Sequence, residues 1–139
     1  MLLGEKNVKI CFASSSGGHL EQLMMLYPMM KEYNSFILTE KTDYQINYKD
    51  IRFYNVSQIN RREYLFVFKF IYLFINSFII FFREKPDVVI STGALSTIPM
   101  CIFAKLFKKK IVFIESFSKI TSPTITGKLM YKIADLFIY

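Results

Sequence analysis

The chain alternates short runs of apolar residues with longer segments in which apolar residues recur every three or four positions. The runs predict six strands, at Val8–Ala13, Ser35–Thr39, Ile51–Val56, Asp87–Ser91, Ile111–Glu115 and Leu136–Tyr139. The third alternates apolar and polar residues, and the fourth is expected to be fully buried. The helical spacing predicts helices from Gly18 or His19 to about Lys31, along Tyr64–Phe82, over Ile98–Lys108 and over Thr126–Ile133. Buried strands that alternate with helices predict an α/β fold, a Rossmann-like parallel sheet with helices on both faces and right-handed crossovers.

A length of 139 residues suits a single domain, and we expect residues 1–139 to form one. Hydrophobic residues make up 53% of the chain and charged residues 21%, which excludes an intrinsically disordered protein. The hydrophobic share exceeds the ~45–50% that is usual for soluble domains. This excess predicts a surface that contacts lipid or another protein.

The apolar excess is concentrated in Tyr64–Phe82, where 16 of 19 residues are apolar. This segment is long enough to span a bilayer. A span would put the strands before and after it on opposite sides of the membrane, where they could not share a sheet. A crossover helix needs only one apolar face to cover its sheet, so a second apolar face is left over. We therefore expect a helix over about residues 61–83 that lies in the membrane interface, with a true span, a protein contact or an ordinary core helix as alternatives.

The polar positions of this helix recur every seven residues and form one narrow stripe, at Arg62, Lys69, Asn76 and Arg83. We expect the membrane-associating residues to be two flanking cations and a row of phenylalanines, namely Arg62, Phe66, Phe70, Phe74, Phe78, Phe81 and Arg83. A second basic and apolar stretch, Ile102–Lys110, suits an anionic leaflet, or else a helix C-terminus whose lysines complement the macrodipole.

The formal net charge is +7, and residues 71–139 contribute +5 of it, from nine basic and four acidic side chains. A basic surface attracts anionic lipids or phosphorylated substrates, and without a nucleic-acid-binding motif we expect no nucleic-acid partner. Cys11 and Cys101 form no CxxC pair, and one histidine leaves no zinc set, so neither a metal nor a cofactor is expected. Both cysteines are expected to be buried and reduced. The amino-terminal MLLGEKNVKI lacks the apolar core of a signal peptide, which predicts a cytoplasmic location.

Three predicted strands end in small or polar residues, at Ser14–Gly18, Ser91–Ala94 and Glu115–Ser118. Ligands bind at the carboxyl ends of the strands in open parallel sheets, so these segments are expected to converge in one crevice. The strongest signal is the order strand, SSSGGH, helix. Its two glycines allow close approach of a ligand, and a helix N-terminus offers N–H groups to an anion. It is not a Walker A loop, because no Lys-Ser/Thr pair follows.

Two residues in this predicted crevice are candidates for catalysis. His19 lies at the start of the helix, where it could bind phosphate, act as the base that deprotonates a hydroxyl, or have a structural role. Glu115 ends an apolar strand, where an unpaired carboxylate is costly, so it is a candidate acid/base or binding group, or else the partner of a lysine. The segment Ser91–Ala94 is either a second anion-binding turn or a helix cap.

The segments SSSGGHLEQL, KPDVVISTGALSTIP and IVFIESFSKI, in this order, resemble the acceptor-binding half of a GT-B glycosyltransferase. More closely, they resemble the membrane-anchor subunit of the split UDP-GlcNAc transferase of eukaryotic lipid-linked oligosaccharide synthesis. They also resemble its bacterial PssD-like counterparts, which assist capsule and exopolysaccharide glycosyltransferases. The resemblance covers nearly the whole chain.

This resemblance implies one half of a two-protein UDP-sugar hexosyltransferase. The subunit, not catalytic alone, would sit on the cytoplasmic face of the membrane and bind a polyprenyl-pyrophosphate-linked sugar. A partner similar to the C-terminal half of MurG-type enzymes would bind UDP-galactose or UDP-GlcNAc, and transfer would invert the anomeric centre. By motif, the acceptor pyrophosphate would be lined by Ser15, Ser16, Gly17, Gly18, His19, Ser91, Thr92, Gly93 and Ala94.

The resemblance also bears on Glu115 and on membrane attachment. Glu115 matches the glutamate of the family's E-S segment. Eukaryotic members carry an N-terminal membrane helix, for which Met1–Asn7 is too short, so attachment is expected to rest on Tyr64–Phe82. Two alternative functions are a self-sufficient small glycosyltransferase or sugar-nucleotide binder, and a non-enzymatic membrane scaffold.

Overall fold

A computed structural model describes residues 8–41, 51–56, 64–93, 95–115 and 125–138. Its strands are β1 Lys9–Ala13, β2 Asn34–Glu40, β3 Arg52–Val56, β4 Val88–Ser91, β5 Lys110–Ile114 and β6 Leu136–Ile138. All six are parallel neighbours in one sheet, in the order β3-β2-β1-β4-β5-β6. The Rossmann-like parallel sheet predicted from the apolar runs is therefore confirmed.

Helices pack on both faces of this sheet, as predicted. They are α1 Gly18–Met24, α2 Tyr27–Glu32, α3 Phe66–Glu84, α4 Ile98–Leu106 and α5 Ile125–Ile133. One core cluster joins α1 and α2 to alternate strand residues such as Ile10 and Ile37. The other joins α3, α4 and α5 to the intervening residues, such as Cys11 and Phe36. Side chains of the central strands β1, β2 and β4 are thus buried on both faces, which is why these strands are continuous apolar runs in the sequence, whereas the edge strands β3 and β6 are partly exposed.

The single helix predicted from Gly18 to about Lys31 is wrong, because the chain forms two short helices there. The first ends at Met24, and Pro28 occupies the first turn of the second. Proline has no N–H with which to bond the carbonyl of Met24, and its ring would clash with that carbonyl, so a continuous helix is excluded. The predicted helix Ile98–Lys108 likewise ends earlier, at Leu106, and Lys108 adopts a left-handed conformation with φ 60°.

Helix α3 is the crossover between β3, at one edge of the sheet, and β4 near its centre. Its 19 residues are long and apolar enough to cross a membrane. Both ends of the helix nevertheless lead into strands of the same sheet. Its buried row, which includes Leu73, Ile80 and Phe81, packs into the core with α4. Helix α3 therefore lies along the sheet as a crossover helix and does not separate two halves of the fold.

The amino end of the sheet is held by a buried carboxylate. Glu84, the last residue of α3, accepts hydrogen bonds from Arg52 (2.8 and 3.1 Å), Lys9 (3.3 Å) and the Tyr54 hydroxyl. Burial alone would raise the pKa of Glu84, but these donors outweigh burial and hold its pKa at about 2. One carboxylate thus joins α3 to the starts of β1 and β3. These starts lie at the amino ends of the strands, opposite the carboxyl ends where the crevice is predicted.

The two cysteines lie in the core on the α3 side of the sheet, as predicted. Cys11 and Cys101 are both fully buried and free. Burial raises the pKa of the Cys101 thiol to about 12 and raises that of Cys11 well above its usual value. Both residues act as small apolar groups rather than as nucleophiles.

Candidate functional site

The candidate site lies at the topological switch point of the sheet, where the strand order reverses between β1 and β4. β1 pairs with β2 on one side and with β4 on the other, and the chain leaves these two strands toward opposite sides of the sheet. The loops after β1 and β4 therefore flank a crevice at the carboxyl edge, the usual ligand position in open α/β sheets.

The turns after β1 and β4 are joined by hydrogen bonds. The Ser15 N–H donates to the Gly93 carbonyl at 2.7 Å, and the Ser15 and Ser96 hydroxyls lie 2.9 Å apart. His19 Nδ1 lies 2.8 Å from the Thr92 carbonyl oxygen, and the Thr92 hydroxyl donates to the His19 carbonyl at 2.7 Å. The predicted convergence of these two segments is thus confirmed.

Four of the nine residues predicted to line the acceptor site are buried in these turns. Ser15, Ser91, Thr92 and Gly93 are all buried, and the Ser91 hydroxyl bonds to Thr97 (2.9 Å) and to the Gly93 N–H (3.1 Å). These four residues shape the site and present little surface to a ligand. Ala94 lies outside the described residues. The accessible part of the predicted site is therefore the stretch 16–19.

The backbone of Gly17 and Gly18 is open to the crevice. Gly17 has φ +80°, which favours glycine, and a Cβ built on either residue meets no atom within 4 Å. The Gly17 carbonyl accepts the N–H groups of Leu20 and Glu21, both at 3.0 Å, and so begins α1. A ligand could approach this backbone as closely as the sequence predicts.

The contact between His19 and Thr92 fixes which ring nitrogen faces a ligand. A carbonyl oxygen can only accept a hydrogen bond, so Nδ1 carries the proton that is donated to Thr92. Nε2 is then the nitrogen left for chemistry. In the neutral ring Nε2 accepts a proton or hydrogen bond from a hydroxyl, and in the charged ring it donates to a phosphate oxygen.

Gly93 makes room for this ring. A Cβ on Gly93 would lie 3.3 Å from both Cε1 and Nδ1 of His19, and its φ of +97° is one that other residues rarely adopt. Gly93→Ala is therefore expected to lower the free energy of unfolding by about 1–3 kcal/mol and to displace the His19 ring from Thr92. Chemical denaturation and the NMR signals of the ring measure both effects.

Gly18→Ala is the matched control for this substitution. Gly18 has no positive φ, and no atom lies within 4 Å of its added Cβ. We expect this variant to unfold within about 0.5 kcal/mol of the wild type. Equal stabilities for the two alanine variants would contradict the packing role of Gly93.

Glu115 follows β5 and is buried, with 6% of its surface exposed. Its N–H donates to the Ile138 carbonyl at 2.7 Å, and its carbonyl accepts a hydrogen bond from Gln22 of α1 at 3.3 Å. The third predicted strand end is thus connected to α1 beside the other two. The rest of that predicted segment, residues 116–118, lies outside the described residues, and an acid/base role for Glu115 stays a prediction.

The sequence analysis missed Glu40, the last residue of β2. Its Oε1 accepts hydrogen bonds from the N–H (2.9 Å) and the hydroxyl (3.1 Å) of Ser16, beside the glycine turn. No local motif marks this residue, because its partner is 24 positions earlier in the chain. The parallel pairing of β1 with β2 could have suggested that their carboxyl ends meet.

A continuous apolar surface covers the outer side of α3 and the end of α4, and we call it the outer apolar face. It joins the two helices through the ring contact of Phe82 with Phe107, whose centroids are 5.0 Å apart. The exposed side chains of this face are Val67, Phe68, Ile71, Ile75, Phe78, Ile79, Phe82, Leu106 and Phe107. Exposed cations adjoin this face in the sequence, at Arg83 of α3, Lys105 of α4 and Lys108 just after α4.

The predicted membrane-associating row needs correction. Phe81 is 3% exposed and belongs to the core, so it cannot face lipid. Phe66, Phe70 and Phe74 are half-buried, and Phe74 packs against Phe103 of α4 with ring centroids 6.0 Å apart. Of the predicted row, only Phe78 and Arg83 are exposed among the described residues, while Arg62 lies outside them.

The family model described as "Oligosaccharide biosynthesis protein Alg14 like" matches residues 10–139. The chain belongs to the Alg14-like family. This Alg14-like chain is 28% identical over 106 residues to the rat UDP-N-acetylglucosamine transferase subunit ALG14, covering 72% of the chain and 47% of that protein. The human protein of the same name is 32% identical over 68 residues, covering 45% and 32% respectively. The Alg14-like chain thus spans about half the length, or less, of these curated relatives.

Solved structures place the same fold inside larger proteins. The Alg14-like chain superimposes on Acinetobacter baumannii MurG with a TM-score of 0.74 and 15% identity, covering 94% of the chain and 40% of MurG. A Methanocaldococcus jannaschii UDP-GlcNAc 2-epimerase, solved with UDP-GlcNAc and UDP, gives a TM-score of 0.68 at 17% identity, with 94% and 40% coverage. At these identities the likeness concerns the fold, which in both cases is part of a chain more than twice as long.

Proposed function

We propose that this Alg14-like chain is the membrane-associated, acceptor-binding subunit of a two-component UDP-sugar glycosyltransferase of bacterial capsule or exopolysaccharide synthesis. The observation that carries the proposal is the family match over residues 10–139, combined with the open glycine turn at the carboxyl edge of the sheet. Two curated relatives are named as subunits of a UDP-N-acetylglucosamine transferase, which supports an enzyme made of this chain and a partner chain.

The acceptor in this proposal is a polyprenyl-pyrophosphate-linked sugar. Its pyrophosphate binds at Gly17, Gly18 and His19, where backbone N–H groups are accessible and the His19 ring is held by Thr92. The hydroxyl that attacks the donor sugar lies within reach of His19 Nε2, which either accepts its proton or contacts phosphate. The UDP-sugar, UDP-galactose or UDP-GlcNAc, binds to the separate partner subunit.

The membrane surface in this proposal is the outer apolar face. It exposes seven apolar side chains of α3 together with Leu106 and Phe107, and it is bordered by cations. An apolar face with basic borders suits the interface of an anionic membrane. With α3 lying in the plane of the cytoplasmic leaflet, the acceptor crevice opens at the end of the sheet nearest the start of α3, at the level of the lipid headgroups.

The test is sugar transfer by the purified chain, with and without a partner that binds the UDP-sugar. Alone, the chain is expected to bind a short-chain polyprenyl-pyrophosphate-GlcNAc acceptor but to transfer no sugar to it. With the partner, transfer is expected to appear, and Gly18→Ala is expected to raise the KM for the acceptor about tenfold or more. The added Cβ would occupy the space through which an acceptor oxygen reaches the backbone.

The KM for the UDP-sugar is the internal control of this experiment, since Gly18 does not contact the donor in the proposed arrangement. It should stay within about twofold of the wild-type value. Robust turnover by the isolated chain would overturn the accessory role. Unchanged acceptor KM in Gly18→Ala would place the acceptor elsewhere.

A further inference from the structure

The carboxylate of Glu40 stands at the side of the turn proposed to hold the acceptor pyrophosphate. Its Oε1 is held by both donors of Ser16, the N–H at 2.9 Å and the hydroxyl at 3.1 Å. Glu40 is half-buried, and its position as the last residue of β2 is fixed by the pairing of β2 with β1 and β3. The carboxylate is therefore oriented by the fold, with one oxygen occupied.

This arrangement gives the loop two regions, one that disfavours an anion and one that can accept an anion. Around Ser16 the fixed negative charge of Glu40 repels another anion and already uses the local donors. At Gly17 and Gly18, by contrast, the backbone is open. A ligand with an anionic part and a neutral, hydroxyl-bearing part would bind with the anion at the glycines and a hydroxyl toward Glu40.

The second oxygen of the carboxylate is suited to such a hydroxyl. Among the described residues, Oε1 makes the hydrogen bonds of Glu40 and none is made by Oε2. An ionised carboxylate only accepts hydrogen bonds, and its bonds are stronger than those of neutral groups. A sugar hydroxyl is a donor of the required kind.

We infer that Glu40 binds a hydroxyl group of the acceptor sugar through Oε2 and so orients that sugar relative to the pyrophosphate. This inference rests on the proposed function, because it assumes that the acceptor carries a sugar next to its pyrophosphate. Glu40 is then a specificity residue that distinguishes a sugar-bearing polyprenyl pyrophosphate from one without a sugar.

The test compares two probes on the full chain, polyprenyl-pyrophosphate-GlcNAc of short chain length and the same polyprenyl pyrophosphate without the sugar. The variant is Glu40→Gln, whose amide oxygen can still accept both hydrogen bonds from Ser16 while the charge and the second acceptor are lost. The Kd for the sugar-bearing probe is expected to rise about 10- to 150-fold. The Kd for the probe without sugar is expected to stay within about threefold or to fall.

Glu21→Gln is the matched control. Glu21 lies in the first turn of α1, is exposed, and its removal takes the same charge from the neighbourhood of the loop without touching Ser16. Both probes should bind this variant with near wild-type Kd.

The outcomes separate this inference from the proposed function. Equal losses for the two probes in Glu40→Gln would show that Glu40 only shapes the loop, and unchanged binding of both would show no role. Either result overturns the inference and leaves the proposed function standing. Failure of the wild type to bind either probe overturns the proposed function, and the inference with it.

Discussion

The double variant Phe68→Ser with Ile75→Ser is expected to release the protein from anionic vesicles and to lower its vesicle partition coefficient by at least about 100-fold. The two side chains are 72% and 52% exposed on the outer apolar face, so in the proposed arrangement they are buried in lipid. Moving one large apolar side chain out of water contributes about 1.5–3 kcal/mol. Two of them give roughly 3–6 kcal/mol, and about 1.4 kcal/mol corresponds to a factor of ten. Vesicle co-sedimentation measures the change.

A matched double variant, Met25→Ser with Leu136→Ser, removes two apolar side chains of comparable exposure from other surfaces. Its partition coefficient should stay within about threefold of the wild-type value. Neither pair belongs to the core clusters, so both variants should fold normally. If the two double variants bind vesicles equally, the outer apolar face is not the membrane surface.

Glu84→Gln is expected to cost about 3 kcal/mol of unfolding free energy at neutral pH, the largest stability effect expected from a single polar substitution here. The pKa of Glu84 is about 2 in the folded protein and near 4.3 in an unfolded chain. A difference of about two units corresponds to roughly 3 kcal/mol. The substitution also leaves Arg52 and Lys9 without their anionic partner.

The same residue sets a pH dependence. Because the folded pKa lies below the unfolded one, the stabilisation is complete above about pH 5 and is lost as the pH falls toward 2. Urea unfolding between pH 2 and 7 should show a steep loss in the wild type and a shallower one in Glu84→Gln. Glu32→Gln, an exposed carboxylate at the end of α2, is the control and should follow the wild type. Parallel curves for all three proteins would contradict the role of Glu84.

The predictable part of the fold is the part that depends on local pattern. The central strands β1, β2 and β4 are runs of residues buried on both faces, and this pattern is visible in the sequence without knowledge of the neighbouring strands. The break between α1 and α2 was also predictable, since Pro28 is tolerated in the first turn of a helix but not in its interior. The helical spacing of Leu20, Leu23 and Tyr27 concealed it, because two helices in near succession keep the same period.

The sequence could not show which apolar side of α3 faces outward. The polar stripe of Lys69 and Asn76 has apolar residues on both flanks, and the choice between the flanks depends on where α4 packs. The contacts of Phe74 and Phe78 with Phe103 settle it, and these contacts join residues more than 20 positions apart. The row predicted to meet lipid was therefore largely the row that meets α4.

The candidate site likewise has a part that the sequence predicts and a part that it does not. The glycine turn was found because SSSGGH follows an apolar run, and the meeting of the turns after β1 and β4 followed from the parallel topology. Glu40 and the anchoring of His19 by Thr92 depend on side-chain contacts across 24 and 73 positions. Such contacts leave no periodic or local mark in one sequence.

The path of α3 has a consequence for how the protein is made in the cell. A helix whose two ends return to one sheet is not itself threaded through a bilayer, so in the proposed arrangement the sheet forms before α3 meets lipid. Attachment through the outer apolar face would then be a reversible equilibrium that follows the amount of anionic lipid. Between synthesis and attachment that face is exposed to the solvent, so newly made copies would be prone to self-association wherever membrane is scarce.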